Sequence, residues 1–186
     1  NYFKIHTIKK QIILAFSLRS ENRHINRFRN KELGKSKCWS NYSINREGVV
    51  YKHFDEKYFS NFIGDDAIDD QSISIVIENM GMLKYNPDND SYSNWLNEVC
   101  DSEYVGIRSL GGFWEIIPDD QFNSIVSLCK YICDEFNIPK NCVEFQQYHK
   151  DIINFKGIVF RSNYYDYYSD INPFFDIKRF NLLLSE

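Results

Sequence analysis

Hydrophobic residues are grouped along this chain in two ways: short continuous runs and one long stretch with helical spacing. Residues 11–18 (QIILAFSL) and 72–78 (SISIVIE) are mostly apolar or β-branched. Such runs are typical of strands that are buried on both faces of a sheet. Residues 119–136 begin with the acidic pair Asp119 and Asp120, which is favourable at the positive N-terminal end of a helix dipole. The apolar side chains that follow recur three and four positions apart. This stretch therefore predicts a helix.

Weaker patterns predict the elements between these segments. Ser20 can cap a helix that continues until Gly34 permits it to end. Residues 39–45 and 49–54 alternate around Glu47-Gly48, which indicates a hairpin. We further predict a loop at 64–71, a long irregular excursion at 79–112, a strand at 143–148 and a closing helix at 176–184. Strands that alternate with helices in this way predict an α/β fold, with a central mixed β-sheet flanked by α-helices.

Composition narrows the classes of partner. The chain of 186 residues has a formal net charge of -4, which argues against nucleic-acid binding through a broad basic face. Residues 19–37 are locally basic; a solvated helix face is the favoured interpretation, and contact with an anionic partner is the alternative. No run approaches the length of about 20 apolar residues that a membrane span needs. Aromatic residues make up 17% of the chain, so some aromatic surface is expected.

The spacing of the cysteines indicates the redox environment in which the chain folds. The five cysteines form no CxxC pair, and Cys129 and Cys133 lie four apart on the predicted helix, so we expect small buried thiols and folding in a reducing compartment.

The chain begins with Asn1, which suggests a processed product or a segment of a longer polypeptide. Its richness in Asn, Ile, Lys and Tyr is compatible with a bacteriophage structural or lysis protein, either in the virion or facing the cell wall.

Four segments occur in an order that resembles a known enzyme family. They are NREGVVYKHFDEKYFSNFIG, SISIVIENMG, the stretch from FWEIIPDD to VEFQQYH, and DINPFF. Together they resemble the zinc-dependent N-acetylmuramoyl-L-alanine amidases and peptidoglycan recognition proteins, from about residue 10 to about residue 180. The resemblance implies that residues 1–186 form a single amidase-like domain.

The resemblance also implies a chemistry. In this family two imidazoles and a carboxylate or thiolate hold a zinc ion, which activates a water molecule and polarises the amide that joins muramic acid to L-alanine. Carried over by position, His149 and Asp170 are the expected metal ligands, but Ala15 stands where the first imidazole belongs. The other family positions that assist catalysis fall on Val76, Ser40 and Tyr168. Phe62 takes the place of a groove-lining histidine, and with Tyr164 and Tyr165 it is expected to bind substrate.

Simpler roles remain open for several of these residues. His149 could be a half-buried histidine at a strand end, and Asp170 could be a turn residue before Pro173. The tyrosines at 164, 165, 167 and 168 either stack on sugars or pack a loop.

The expected function follows from the ligand count. Substitution of a residue that only hydrogen-bonds to a metal ligand typically weakens metal binding by about 10- to 100-fold. Loss of a ligand imidazole should weaken zinc binding by more, so no cofactor is expected. We predict a degenerate, non-catalytic amidase-like domain that recognises peptidoglycan or another glycan, or that assembles into a phage particle. One alternative is an active zinc-dependent amidase in which His53 or His24 completes the ligand set. The other is a purely structural virion subunit.

Overall fold

The computed structural model describes residues 2–19, 39–102, 105–108, 112–168, 170 and 172–186. In chain order the strands are β1 (Tyr2–His6), β2 (Gln11–Phe16), β3 (Tyr42–Ile44), β4 (Val50–Lys52), β5 (Tyr58–Ser60), β6 (Ser72–Ile77), β7 (Met82–Asn86), β8 (Ser91–Ser93), β9 (Val99–Cys100), β10 (Val105–Arg108), β11 (Gly112–Glu115) and β12 (Gly157–Phe160). The α-helices are α1 (Asp66–Asp69), α2 (Asp119–Phe136) and α3 (Ile177–Ser185), and two short 3-10 helices span Ile152–Asn154 and Arg161–Asn163.

A five-stranded mixed sheet with the order β12-β2-β6-β3-β4 lies at the centre of the fold. Its first four strands are parallel, and β4 runs antiparallel to β3. Every residue of β2 and β6 is buried, which explains why both strands are continuous runs in the sequence instead of alternating with polar residues. The α/β fold class and the two buried strands are thus confirmed, as is the hairpin formed by β3 and β4.

Helices α2 and α3 cover one face of this sheet. The buried side of α2 includes Phe122, Ile125, Cys129 and Ile132, which share one core with the strands. The helix ends where Asn137 adopts a left-handed conformation with φ of 54°. Both predicted helices, at 119–136 and at 176–184, are confirmed within one residue. Among the described helices, none is both long and apolar enough to cross a membrane.

The prediction of an irregular excursion at 79–112 was wrong. This part of the chain contributes to a second five-stranded sheet, antiparallel and ordered β10-β11-β7-β8-β9. Its core of Met80, Leu83 and Cys100 is small, and β7 buries only Leu83. Because one face of this sheet is exposed and its strands are short, the segment lacks the apolar runs that mark a buried strand, and its Asn, Asp and Gly residues dominate the pattern.

Two further predictions were corrected, and one cannot be compared. Residues 64–71 contain α1, whose start is capped by the Asp65 side chain, which accepts from the Ala67 amide at 3.0 Å. Residues 143–148, all described, form no regular strand, and only a single bridge from Cys142 to Ile158 joins this region to the sheet. The edge strand is β12 instead. The helix predicted from Ser20 lies outside the described residues.

Candidate functional site

Ala15 and Val76 lie side by side near the C-terminal ends of neighbouring strands. Their Cα atoms are paired in the register of β2 and β6, and Ser43 of β3 pairs with Val76. Side chains alternate between the faces of a sheet. Phe16, the residue after Ala15, contacts Phe175, which in turn contacts Phe122 of α2. The neighbours of Ala15 along β2 therefore point towards α2. Ala15 and Val76 therefore share the face that points away from α2, and both are buried.

Asp170 lies against the end of β2, and its buried carboxylate forms an ion pair with a partly exposed arginine. Its Oδ2 accepts from Nε of Arg161 at 3.0 Å, and its side chain is 1% exposed. Burial raises the pKa of Asp170, and the nearby Arg161 charge opposes that shift. The same guanidinium lies over two aromatic rings, 4.9 Å from the centre of Tyr168 and 5.8 Å from that of Phe62. A fixed cation thus occupies the space beside the carboxylate.

The strand next to β2 ends in an aromatic residue. Phe160 is the last residue of β12, and its ring lies 6.5 Å from that of Phe16, inclined by only 18°. Phe175 contacts both rings edge-on. The strand expected to lead to a metal-binding histidine was 143–148, but the structure places Gly157–Phe160 in the sheet. Phe160 pairs with Leu14 and stacks on Phe16, so it lies on the α2 face of the sheet, opposite to Ala15 and Val76.

His149 lies outside the described strands and is exposed. Its backbone N–H donates to the Asn163 carbonyl at 2.9 Å, and its Nδ1 accepts from the Asp151 amide at 3.4 Å. The ring packs on Phe145 and borders an open groove of about 810 Å³ along the 141–155 segment. The interpretation of His149 as a half-buried histidine at the end of a strand is also not what the structure shows.

The remaining candidate for a third ligand is distant. His53 follows β4, and β6 and β3 separate β4 from β2, so its backbone lies about 14 Å from that of Ala15 at the usual strand spacing, and its ring reaches only as far as β3. Its Nε2 is 2.9 Å from the Ser43 hydroxyl, and burial lowers the pKa of His53 to about 4. His24 lies outside the described residues.

These residues do not fit a zinc ion. The side chains of Ala15 and Val76 have no donor atom, and Asp170 is already paired with Arg161. Among the described residues, no three His, Cys, Asp or Glu side chains are close enough to share a metal. A zinc site needs three protein ligands plus an open position, so the arrangement does not provide one.

The residues expected to bind substrate divide into buried and exposed groups. Phe62 and Ser40 are buried, and so is Tyr164, whose hydroxyl donates to Oε1 of Gln11 within the fold. Burial raises the pKa of Tyr164 well above its ordinary value. Tyr165 and Tyr168 are only partly buried and lie near the surface. Tyr164 and Phe62 are therefore packing residues in this structure.

Sequence reasoning missed Arg161. The only local signal was a single cation in an otherwise apolar and aromatic stretch ahead of Asp170. The apolar run GIVF, only four residues long, was also available as a sign of β12.

A family model described as N-acetylmuramoyl-L-alanine amidase matches residues 5–157. The chain belongs to this amidase family. The matched region contains Ala15, Val76 and His149, and it ends before Arg161 and Asp170. A search of curated proteins finds no match.

Solved amidase structures share the fold at low sequence identity. The N-acetylmuramoyl-L-alanine amidase LysC from Clostridium intestinale URNW is 10% identical with a TM-score of 0.59, over 96% of this chain and 87% of LysC. The endolysin amidase LysCS from the same organism is 12% identical with a TM-score of 0.58, over 100% and 91%. AmpDh3 from Pseudomonas aeruginosa, in complex with anhydromuramic pentapeptide, is 14% identical with a TM-score of 0.59, over 97% and 61%. At these low identities the comparisons show a shared amidase fold and nothing finer.

Proposed function

We propose that this amidase-family domain is non-catalytic and recognises peptidoglycan or a related glycan. The observation that carries the proposal is the ion pair of Arg161 with Asp170, the residue that the sequence resemblance makes the expected carboxylate ligand, while Ala15 and Val76 at the adjacent strand ends have side chains without a donor atom. Amide hydrolysis in the family requires a polarised carbonyl and an activated water molecule. The chain offers a buried, paired carboxylate and apolar side chains at these positions instead.

Retention of the fold without the ligands supports a binding role. AmpDh3, which shares the fold, is described in complex with a muramic acid peptide. A scaffold that keeps this architecture can keep its affinity for the same class of polymer after its catalytic groups are replaced, because most binding contacts lie away from the reacting atoms.

Metal analysis and turnover test the catalytic half of this proposal. Protein purified without chelator should contain far less than stoichiometric zinc, and it should release no L-alanine-bearing stem peptides from peptidoglycan. His149→Ala should behave like the parent chain in both assays. Stoichiometric zinc together with turnover that is lost in His149→Ala would show instead an active zinc-dependent amidase.

Sedimentation with insoluble peptidoglycan tests the binding half. We expect the protein to be retained in the pellet and to stay in the supernatant when the polymer is omitted. The second candidate function, a structural subunit of a phage particle, predicts no retention. It is favoured by the outer face of the antiparallel sheet, where Met82 and Val99 are 46% and 54% exposed.

A further inference from the structure

Three tyrosines form a partly exposed surface next to the Arg161–Asp170 pair. We call Tyr165, Tyr167 and Tyr168 the tyrosine ridge. Tyr168 contacts both the Arg161 guanidinium and the ring of Tyr167, and the centres of the two tyrosine rings are 4.8 Å apart. The ridge therefore adjoins Asp170 and lies at the surface, whereas Ala15 and Val76 are buried.

The outermost ring of the ridge is flat against its neighbour and open to solvent. The rings of Tyr165 and Tyr167 are stacked, with centres 5.1 Å apart and an interplanar angle of 11°. Although one face of Tyr167 is covered in this way, 68% of the residue is exposed. A tyrosine that only packed a loop would bury its ring. Tyr167 instead presents ring surface to the solvent.

Hydrogen bonds hold the two supporting rings in place. The Tyr165 hydroxyl donates to Oδ2 of Asp65 at 3.3 Å, and the Tyr168 hydroxyl donates to the Ile63 carbonyl at 3.5 Å. The rings are thus oriented before any ligand arrives, which reduces the conformational entropy that binding has to remove. Both contacts tie the ridge to the segment before α1.

Charges around the ridge distinguish between the parts of peptidoglycan. Asp65, Asp66 and Asp166 lie on or next to it, whereas Arg161, the cation that contacts Tyr168, is already paired with Asp170. Carboxylates repel the acidic groups of a stem peptide, but they accept hydrogen bonds from sugar hydroxyls. Aromatic faces carry partial negative charge and attract the C–H bonds on the flat side of a pyranose ring.

We propose that the tyrosine ridge binds the sugar rings of a neutral glycan strand, with Tyr167 as the principal stacking surface, and does not bind the stem peptide. This inference rests on the proposed function, because it names the part of the polymer that is recognised and the residues that contact it.

Titration calorimetry with two soluble probes tests the proposal. One probe is a β-1,4-linked tetramer of N-acetylglucosamine, and the other is a free stem peptide that begins with L-alanine and D-glutamate. We expect the tetramer to bind and the peptide not to bind. Tyr167→Ala should weaken tetramer binding by about tenfold or more, and Tyr167→Trp should retain it, because the ring face is preserved.

Tyr131→Ala is the matched control. Tyr131 is another exposed tyrosine, 53% exposed, but it lies on α2, on the other side of the central sheet. Its removal should leave tetramer binding unchanged. The inference is overturned if the tetramer does not bind, if the peptide binds more tightly than the tetramer, or if Tyr167→Ala and Tyr131→Ala bind alike.

The outcomes separate this inference from the proposed function. Retention on insoluble peptidoglycan without binding of the tetramer would overturn the role of the ridge and leave the recognition domain in place. Zinc-dependent turnover would overturn the non-catalytic assignment, while the comparison of Tyr167→Ala with Tyr131→Ala would still decide the role of the ridge.

Discussion

Nε of Arg161 lies 3.0 Å from Oδ2 of Asp170, and the guanidinium lies over the rings of Tyr168 and Phe62. A carboxylate with 1% exposure is costly to ionise without such a partner. In the amidase family the same position is expected to face a metal ion. Here a side chain of the protein itself supplies the positive charge, so the fold needs no added cation at this point.

Removal of Arg161 alone should lower the free energy of unfolding more than replacement of both Arg161 and Asp170. Arg161→Met leaves a buried, unpaired carboxylate and should lower the free energy of unfolding by about 2 to 4 kcal/mol, less than for a fully buried pair because the Arg161 side chain is 26% exposed. Asp170→Asn in the same chain should recover part of this loss. Urea unfolding of the two single variants and the double variant measures the coupling.

The ion pair of Lys140 with Asp134 provides a matched control for that cycle. Its atoms are 2.7 Å apart, yet both side chains are well exposed. Lys140→Met should change stability by less than about 1 kcal/mol. Strictly additive effects of Arg161→Met and Asp170→Asn would show that the buried pair has no coupling.

Chelation should leave stability unchanged. A metal that binds only the folded chain raises the free energy of unfolding by about 2.7 kcal/mol at a concentration 100 times its dissociation constant. Because the residues around Asp170 do not fit zinc, the thermal midpoint should be the same with excess EDTA and with excess zinc. A midpoint that rises by several degrees with zinc, and falls with EDTA, would contradict this expectation.

His53 should make the protein less stable in acid. Burial lowers its pKa to about 4 in the folded chain, from the ordinary value of 6.5. Between these values the unfolded chain binds a proton that the folded chain does not, so stability is lost as the pH falls from about 6.5 towards 4. His53→Gln removes this titration. The parent should lose about 1 to 2 kcal/mol more than the variant over this range, with allowance for partial exposure of the ring.

Unfolding measured at several pH values checks this difference. Buried carboxyl groups such as Asp69 and Asp170 titrate in both proteins, so their contribution cancels in the comparison. Identical pH dependence of the parent and His53→Gln would show that the histidine is not held in its neutral form by the fold.

Gly48 is required by both its backbone and its surroundings. It has φ of +77°, and a Cβ there would lie 2.6 Å from the Asp120 carbonyl oxygen and 2.7 Å from the Ser124 hydroxyl. Gly64 also has a positive φ, of +90°, but the nearest atom to its Cβ would be 3.8 Å away. Gly64→Ala should therefore cost about 1 to 2 kcal/mol from backbone strain alone. Gly48→Ala should cost about 1 to 3 kcal/mol more, because it also forces the hairpin away from α2. Equal midpoints in thermal unfolding would contradict this.

Local pattern was sufficient for the elements at the centre of the fold. Strands β2 and β6 and helix α2 are buried along their whole length or on one continuous side, so their apolar residues recur with the period of the element. The same reasoning failed for the antiparallel sheet of 82–115 and for β12. Those strands have few residues, and they are stabilised by pairing with distant parts of the chain, as when Gly157 pairs with Gln11.

The sequence by itself determined the fold class, the family, and the absence of a donor atom at Ala15, because these depend on residue identity and on periodicity within a segment. Only the tertiary structure decided that Arg161 is the partner of Asp170, that Phe160 ends the strand beside β2, that His149 is exposed, and that Tyr167, not Tyr164, is the open ring. Each of these is a contact or an exposure set by how distant segments pack, and side-chain type alone does not specify which neighbour the packing supplies.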